Sequence, residues 1–269
     1  MLTVEEKQFY QENGYVIPDW RMPEREVGAL RDALDAIIAQ NPGVRPEQLI
    51  SAHLSDPKSG IKGHEAFLNL AFQKDIVSMV SDVAGEDLIL WGCHIFCKPA
   101  GDGQEVPWHQ DGHYWPIHPL ATTSVWLAID ESKQENGCLS LIPGSHKSEV
   151  LHQHMNEDRP DAALDEVIDA STYDQDEAVF VELEPGQLSI HDVYMIHGSA
   201  PNRSTKRRAG VALRYMPASS VFDRGEKASR TTAAGLTVDY RNRPLWLVSG
   251  SDLQGSNGPF EINPVSSRS

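Results

Sequence analysis

The sequence predicts a mostly β domain, a sandwich or open barrel with helices packed on its outside. Three observations lead there. Apolar residues recur at helical spacing only in roughly the first third of the chain; from about Leu88 they fall into short β-rich stretches; and turn clusters separate those stretches. Many short strands punctuated by turns are the pattern of two packed sheets or a barrel.

Taken in order, Thr3 and Glu6 have capping-box spacing, Phe9 and Tyr10 follow, and Gly14 closes a first helix. A second helix is expected from Pro23 or Glu24 to about Gln40. There Val27, Leu30, Leu34, Ile37 and Ile38 recur at three- and four-residue steps, and Asn41-Pro42-Gly43 ends the run. A third is expected over 65–83, stopped at Gly85. Strands are expected at 88–96, 122–129, 139–142, 178–183, 187–191 and 210–215, with turns such as Pro99-Ala100-Gly101-Asp102-Gly103 and Glu184-Pro185-Gly186 between them. Residues 146–176 are polar, acidic and rich in histidine, and read as a long loop over one end, the kind of segment that serves as a lid. No repeat, low-complexity tract or linker divides the chain. A single domain is expected over 1–269, with a mainly helical part at 1–85, the β core at 86–217 and a C-terminal extension at 218–269.

The charge excludes several functions. With 23 basic and 39 acidic side chains among 269 residues, the formal charge of −16 repels a phosphate backbone, and Lys206-Arg207-Arg208 is too short a basic patch to reverse that. No nucleic-acid partner is expected. No run of eighteen apolar residues is present, so no membrane span is expected, and the acidic start lacks the apolar segment of a secretory signal. Three cysteines, Cys93, Cys97 and Cys138, cannot form a disulfide framework and fit a reducing cytoplasm. Cys93 and Cys97 with His94 suggest zinc at first sight, but the pair lies in an apolar run without a second ligand pair, and buried free thiols are the better reading.

The chemistry concentrates in two segments. On a strand, residues i and i+2 share a face, so His109 and Asp111 of Pro107-Trp108-His109-Gln110-Asp111-Gly112 can point at one atom. An imidazole and a carboxylate suit a divalent metal, though an isolated His-x-Asp is more often a surface pair. A third ligand is expected from His197, at the end of an apolar stretch before Gly198-Ser199. Two histidines and one carboxylate cover one face of an iron and leave the other open for a bidentate cosubstrate and dioxygen. Arg208 follows eleven residues later, across a turn sequence. If that turn closes a hairpin, its midpoint lies between Asn202 and Arg203, Arg208 sits across from His197, and its planar fork can grip a dicarboxylate. Arg207 then faces the other way.

Other polar residues are ambiguous. His191 is placed on the same strand as His197, six residues back and about 20 Å away if extended, which makes it a core or pocket-wall histidine unless the strand breaks. His113, Tyr114, Trp115 and His118 are substrate contacts or aromatic packing. His146, His152 and His154 read as solvated loop residues. Arg241 and Arg243 grip an anionic substrate or pair with acids.

With those residues in view, the chain resembles the phytanoyl-CoA dioxygenase family of iron(II)- and 2-oxoglutarate-dependent oxygenases. The matching stretches span nearly the whole chain: Phe9-Tyr10-Gln11-Glu12-Asn13-Gly14-Tyr15-Val16, the Val106–Gly112 segment, Val125-Trp126-Leu127-Ala128-Ile129-Asp130, Glu135-Asn136-Gly137-Cys138-Leu139, Ile142-Pro143-Gly144-Ser145-His146-Lys147, His197-Gly198-Ser199 and Arg243-Pro244-Leu245-Trp246-Leu247-Val248-Ser249-Gly250. The resemblance implies a double-stranded β-helix, a cupin-like jelly roll. It implies His109, Asp111 and His197 as iron ligands, Arg208 as the anchor of the distal 2-oxoglutarate carboxylate, Ser199 as its assistant and Trp126 as a wall of that pocket. Lys98 matches a lysine that contacts cosubstrate or substrate in relatives. Because Asp111 is a carboxylate where halogenating relatives carry a small residue, hydroxylation of an unactivated C–H bond of a small metabolite is implied, with dioxygen consumed and succinate and CO2 as co-products. The alternatives are a metal-binding sensor without turnover and a zinc hydrolase; Arg208 argues against both. Specificity is expected to reside in 41–64, 146–176 and the tail after Pro217.

Overall fold

A computed structural model describes residues 1–55, 61–225, 229–231 and 237–262; the remainder of the two specificity segments 41–64 and the tail lies outside the described residues. Four helices come early: α1 (Val4–Asn13), α2 (Glu24–Gln40), α3 (Glu65–Ala71) and α4 (Lys74–Ala84), with strands β1 (Tyr15–Val16) and β2 (Leu49–Ile50) among them. Next follow β3 (Leu88–Lys98), β4 (Val106–Gln110), β5 (Ile117–His118), β6 (Thr123–Ala128), β7 (Leu139–Leu141), β8 (His154–Asn156) and β9 (Glu166–Ile168). The chain continues through β10 (Val179–Val181), β11 (Leu188–Asp192), β12 (Ile196–Ser199) and β13 (Arg208–Pro217). It finishes with β14 (Val221–Phe222), β15 (Ser229–Thr231), β16 (Thr237–Asp239) and β17 (Trp246–Ser249).

Helix α1 forms as its caps dictate. Thr3 Oγ1 accepts from the Glu6 N–H, the Glu6 carboxylate accepts from the Thr3 N–H, and Gly14 ends the helix at φ 80°. The expected third helix is instead two, α3 and α4. Phe67, Leu70 and Ala71 bury the inner face of α3 and Ile76, Met79 and Val80 that of α4, and the helices part at Gln73, whose backbone is extended at φ −63°, ψ 125°.

The strands assemble into a double-stranded β-helix of two facing antiparallel sheets. The major sheet runs β1-β11-β6-β13-β3-β17 with β2 beside β3, and the minor sheet runs β10-β7-β12-β4. Period-2 alternation along β13 decides what each face does. Ala209, Val211, Leu213 and Tyr215 turn outward and join the buried cluster under α2, α3 and α4, while Arg208, Ala212 and Arg214 face the barrel interior. Each fully buried Val or Leu in that outward row contributes about 1.5–3 kcal/mol of transfer free energy. Tyr215 adds a directional tie, its hydroxyl donating to Ala71 O at 2.9 Å.

Residues 146–176 are not a plain loop. They contain the β8–β9 hairpin, and Ile168 and Tyr173 pack with Trp108, Ile142 and Ile196. Cys93 and Cys97 lie in β3 facing the helices, and burial pushes both thiols up to about 12, so they remain protonated.

His53, packed edge-on against Trp246 at 5.2 Å, has no hydrogen-bond partner among the described residues. Burial, with the Arg243 charge adding to it, holds this imidazole neutral, down to about 3. An unfolded chain takes up that proton below about pH 6.5, so stability is complete above that value and is lost as pH falls towards 3. The His53→Phe variant is therefore expected to lose less stability than wild type when urea midpoints are compared at about pH 7 and about pH 5; parallel losses would contradict the assignment.

Candidate active site

The minor sheet sets the geometry of the first two ligands. His197 on β12 lies directly opposite His109 on β4, so their rings meet across the strands with centroids 4.1 Å apart. Asp111 sits one residue beyond the end of β4 and opens a 3-10 turn, rather than continuing the strand, and its carboxylate swings back to the pair. Asp111 Oδ1 is 3.7 Å from His109 Nε2, and Oδ2 is 4.0 Å from His197 Nε2. All three are buried, and one ligand atom from each lies within 4.8 Å of the others.

Backbone carbonyls orient both imidazoles. His109 Nδ1 is 2.8 Å from Pro107 O and His197 Nδ1 is 2.9 Å from Met195 O. An N–H on each Nδ1 donates to its carbonyl and leaves the Nε2 lone pair aimed at the common centre. Burial, and then the neighbouring His109, keeps His197 well below the usual histidine range, so it is a neutral ligand. Burial opposes ionisation of Asp111, but Arg214 and the imidazoles outweigh it and hold the carboxyl well below the usual carboxylate range. Two imidazoles with a committed carboxylate are the donor set of an iron(II) site with open positions.

The pocket over this centre reaches Trp126, Ser199 and Arg208. Arg208 is buried, with Nε and Nη2 donating to Gly137 O at 3.0 and 2.7 Å and Nη1 to Phe96 O at 3.3 Å. These bonds brace the guanidinium and leave a second N–H on each terminal nitrogen, one leaning 3.4 Å from Ser199 Oγ. Burial pushes Arg208 down to about 10, and it stays charged. Trp126 lies 5.5 Å beneath it.

Arg208 and His197 are not hairpin partners, as their spacing suggests. β12 pairs with β4 and β7, whereas β13 pairs with β3 and β6, so the turn built on Asn202 carries the chain from one sheet to the other. The two side chains share the pocket because the sheets face each other. Arg207 points outward, to Asp130 at 2.7 Å and to Asp35 of α2 at 2.7 Å. The strand expected to carry both His191 and His197 also breaks: Asp192 Oδ1 accepts from the Tyr194 N–H at 2.8 Å in a turn, and β11 and β12 lie in different sheets. His191 therefore comes back to the centre, its Nε2 4.0 Å from Asp111 Oδ2, as a wall of the pocket. Lys98 is turned away from the pocket walls, its ammonium donating to the carbonyls of Ser199 and Ala200. Those bonds brace the Ser199 strand.

Sequence reasoning missed Arg214, Gly137 and Gly210. Arg214 Nη2 is 3.6 Å from Asp111 Oδ1, and its even spacing from Arg208 on one strand was the available signal. Gly137, at φ 79°, offers the carbonyl that braces Arg208. A Cβ on Gly210 would meet the Trp126 ring at 2.1 Å, so this glycine lets the indole lie across the sheet. Gly210→Ala is expected to displace Trp126, weaken 2-oxoglutarate binding and cost about 1–3 kcal/mol of stability; calorimetric titration and urea unfolding measure the two. His154 is not solvated, since its ring stacks on His113 at 4.0 Å and accepts from the Gln110 N–H at 3.1 Å.

The sequence profile described as Phytanoyl-CoA dioxygenase (PhyH) matches residues 10–210, well over half of the chain. The chain belongs to the phytanoyl-CoA dioxygenase family. It is thereby an iron- and 2-oxoglutarate-dependent oxygenase, with the His-Asp-His triad present. The peroxisomal phytanoyl-CoA dioxygenase of Homo sapiens is 25% identical over 240 residues, covering 81% of this chain and 69% of that one. EvdO2 from Micromonospora carbonacea var. aurantiaca, solved with 2-oxoglutarate, is 26% identical with a TM-score of 0.63 over 81% of this chain and 91% of its own. The epimerase SnoN, solved with Fe3+, alpha ketoglutarate and nogalamycin RO, shares the fold at TM-score 0.65 and 20% identity, covering 81% and 84%. This architecture thus supports more than one oxidative outcome. Among the described residues no helix is long and apolar enough to cross a membrane.

Proposed function

We propose that the chain hydroxylates an unactivated C–H bond of a small metabolite, using His109, Asp111 and His197 to hold the iron and Arg208 to hold the distal carboxylate of 2-oxoglutarate. One observation carries this reading: a two-histidine, one-carboxylate centre shares its buried pocket with a braced guanidinium that turns an N–H towards the Ser199 hydroxyl and keeps another unused. When bound, iron with 2-oxoglutarate and dioxygen supplies the oxidising power, and succinate and CO2 leave as co-products.

The protein's residues supply position and dryness. Arg208 fixes one end of the ketodiacid, the Ser199 hydroxyl lies beside that guanidinium, and Trp126 floors the channel between. Phe96 and Leu139 keep the walls apolar, which excludes water from the reacting end. Three free thiols support a cytoplasmic setting.

The test is a metabolite screen for succinate release coupled to oxygen consumption. Succinate formed in step with a hydroxylated product supports the reading. A sensor would release none with any candidate, a zinc hydrolase would turn over without oxygen, and an epimerised or cyclised product would replace hydroxylation.

A further inference from the structure

Building on the oxygenase reading, we propose that the substrate carries a small anionic group, a carboxylate or a phosphonate, seated between Arg214 and Arg243 over the bare backbone of Gly92. Gly92 lies in β3 opposite Arg214 of β13. From the point where its Cβ would stand, Arg214 Cβ and Cδ and Arg243 Nη1 are all 3.9 Å away, so both arginines border one spot that lacks a side chain. Arg214 also borders the iron site, through Asp111, and lines its pocket.

Both guanidiniums are short of partners. Arg243 is 5% exposed and has no carboxylate partner among the described residues, although the chain has 39 acidic side chains. Its contacts are the Ser51 hydroxyl at 2.9 Å, Trp91 O at 3.5 Å and the face of Tyr240 at 4.8 Å. Arg214 stands 4.6 Å over the Trp115 ring and shares its one carboxylate with the iron centre. The Nε atoms of both arginines and Nε1 of Trp91 are buried without a hydrogen-bond partner. Buried cations with unused donors are costly unless something completes them, and an anion fits that need. The neighbouring Arg241 differs: it is exposed and bonds Asp239 at 2.6 Å, which separates two arginines that the sequence left alike.

Held there, the anionic end would place the rest of a short substrate next to Asp111 and the open iron positions. Orientation, and so the carbon attacked, would follow from the length between the anionic group and the reacting carbon.

The experiment loads the full chain anaerobically with Fe(II) and saturating 2-oxoglutarate, so that the Arg208 end is filled. Methylphosphonate and, separately, butyrate are then titrated, followed by the visible iron–cosubstrate band and by tryptophan fluorescence, with Trp91→Phe and Trp115→Phe variants identifying the part of the signal that comes from the two indoles beside Arg214. Binding without loss of 2-oxoglutarate is expected, and the tighter probe identifies the group. Arg243→Gln is expected to weaken it by about tenfold or more, as for a lost charge-assisted pair, with 2-oxoglutarate affinity unchanged and partial rescue by Arg243→Lys. Gly92→Leu fills the space without removing a charge and is expected to block the probe equally. No binding to the loaded chain, or wild-type binding in both Arg243→Gln and Gly92→Leu, overturns the proposal. Fluorescence reads the anion site even if the visible band fails to form, so that failure would count against the oxygenase reading and not against this site.

Discussion

Asp111→Ala is expected to abolish succinate formation and to lower iron affinity by more than about a hundredfold, beyond the loss typical of outer ligand partners. The carboxylate is the one anionic donor of the triad, set 3.7 and 4.0 Å from the two imidazoles. Its removal also leaves Arg214 buried without its carboxylate, a change that costs about 3–5 kcal/mol when one partner of a buried pair is deleted. Asp111→Asn keeps the shape and separates the two effects, since folding should be largely retained while iron binding is not. Iron content, urea unfolding and succinate assays measure them. Unchanged activity in either variant would remove Asp111 from the coordination sphere.

Arg208→Ala is expected to weaken 2-oxoglutarate binding by about a hundredfold or more, in line with the 2–5 kcal/mol lost when one partner of a buried charge pair is truncated. Iron binding should change little, because Arg208 reaches Gly137, Phe96 and Ser199 and makes no contact with the triad. Arg208→Lys should not restore binding, since an ammonium has no planar fork to brace on Gly137 O and still offer two parallel N–H groups. The neighbouring Arg207→Ala should leave 2-oxoglutarate affinity within about threefold, and its cost of about 1–3 kcal/mol should fall on stability alone, since Arg207 grips the half-buried Asp130 with two N–H groups. Equal effects of the two substitutions would contradict the opposite facing of adjacent residues on β13.

How much of this was legible follows from the range of each interaction. Local signals read well: the Thr3–Glu6 box ends α1 and the apolar steps of α2 match its buried face. His109 and Asp111 were legible because two residues apart on or just past one strand suffices to bring them together. Sheet partners were not, because pairing depends on residues far along the chain. Hence Arg208 was correctly placed near His197 for the wrong reason, a hairpin where the chain in fact crosses between sheets. The same blindness put His191 on the strand of His197; the signal lay in Asp192, a turn-forming residue inside an apolar run. The α3–α4 break was not legible, because Phe72 and Ile76 keep a four-residue step across it and only the backbone turns, at the extended Gln73. Arg243 and Arg241 could not be told apart in sequence, since which acids come within reach is decided only when β17 docks on β3.

The central claim is most directly tested by an anaerobic titration of the purified chain with Fe(II) and 2-oxoglutarate, followed in the visible. One iron per chain, and a charge-transfer band that requires 2-oxoglutarate and disappears in His197→Ala, is the predicted result. A band of wild-type strength in His197→Ala, or 2-oxoglutarate binding that never produces a band, would contradict a shared centre at His109, Asp111 and His197.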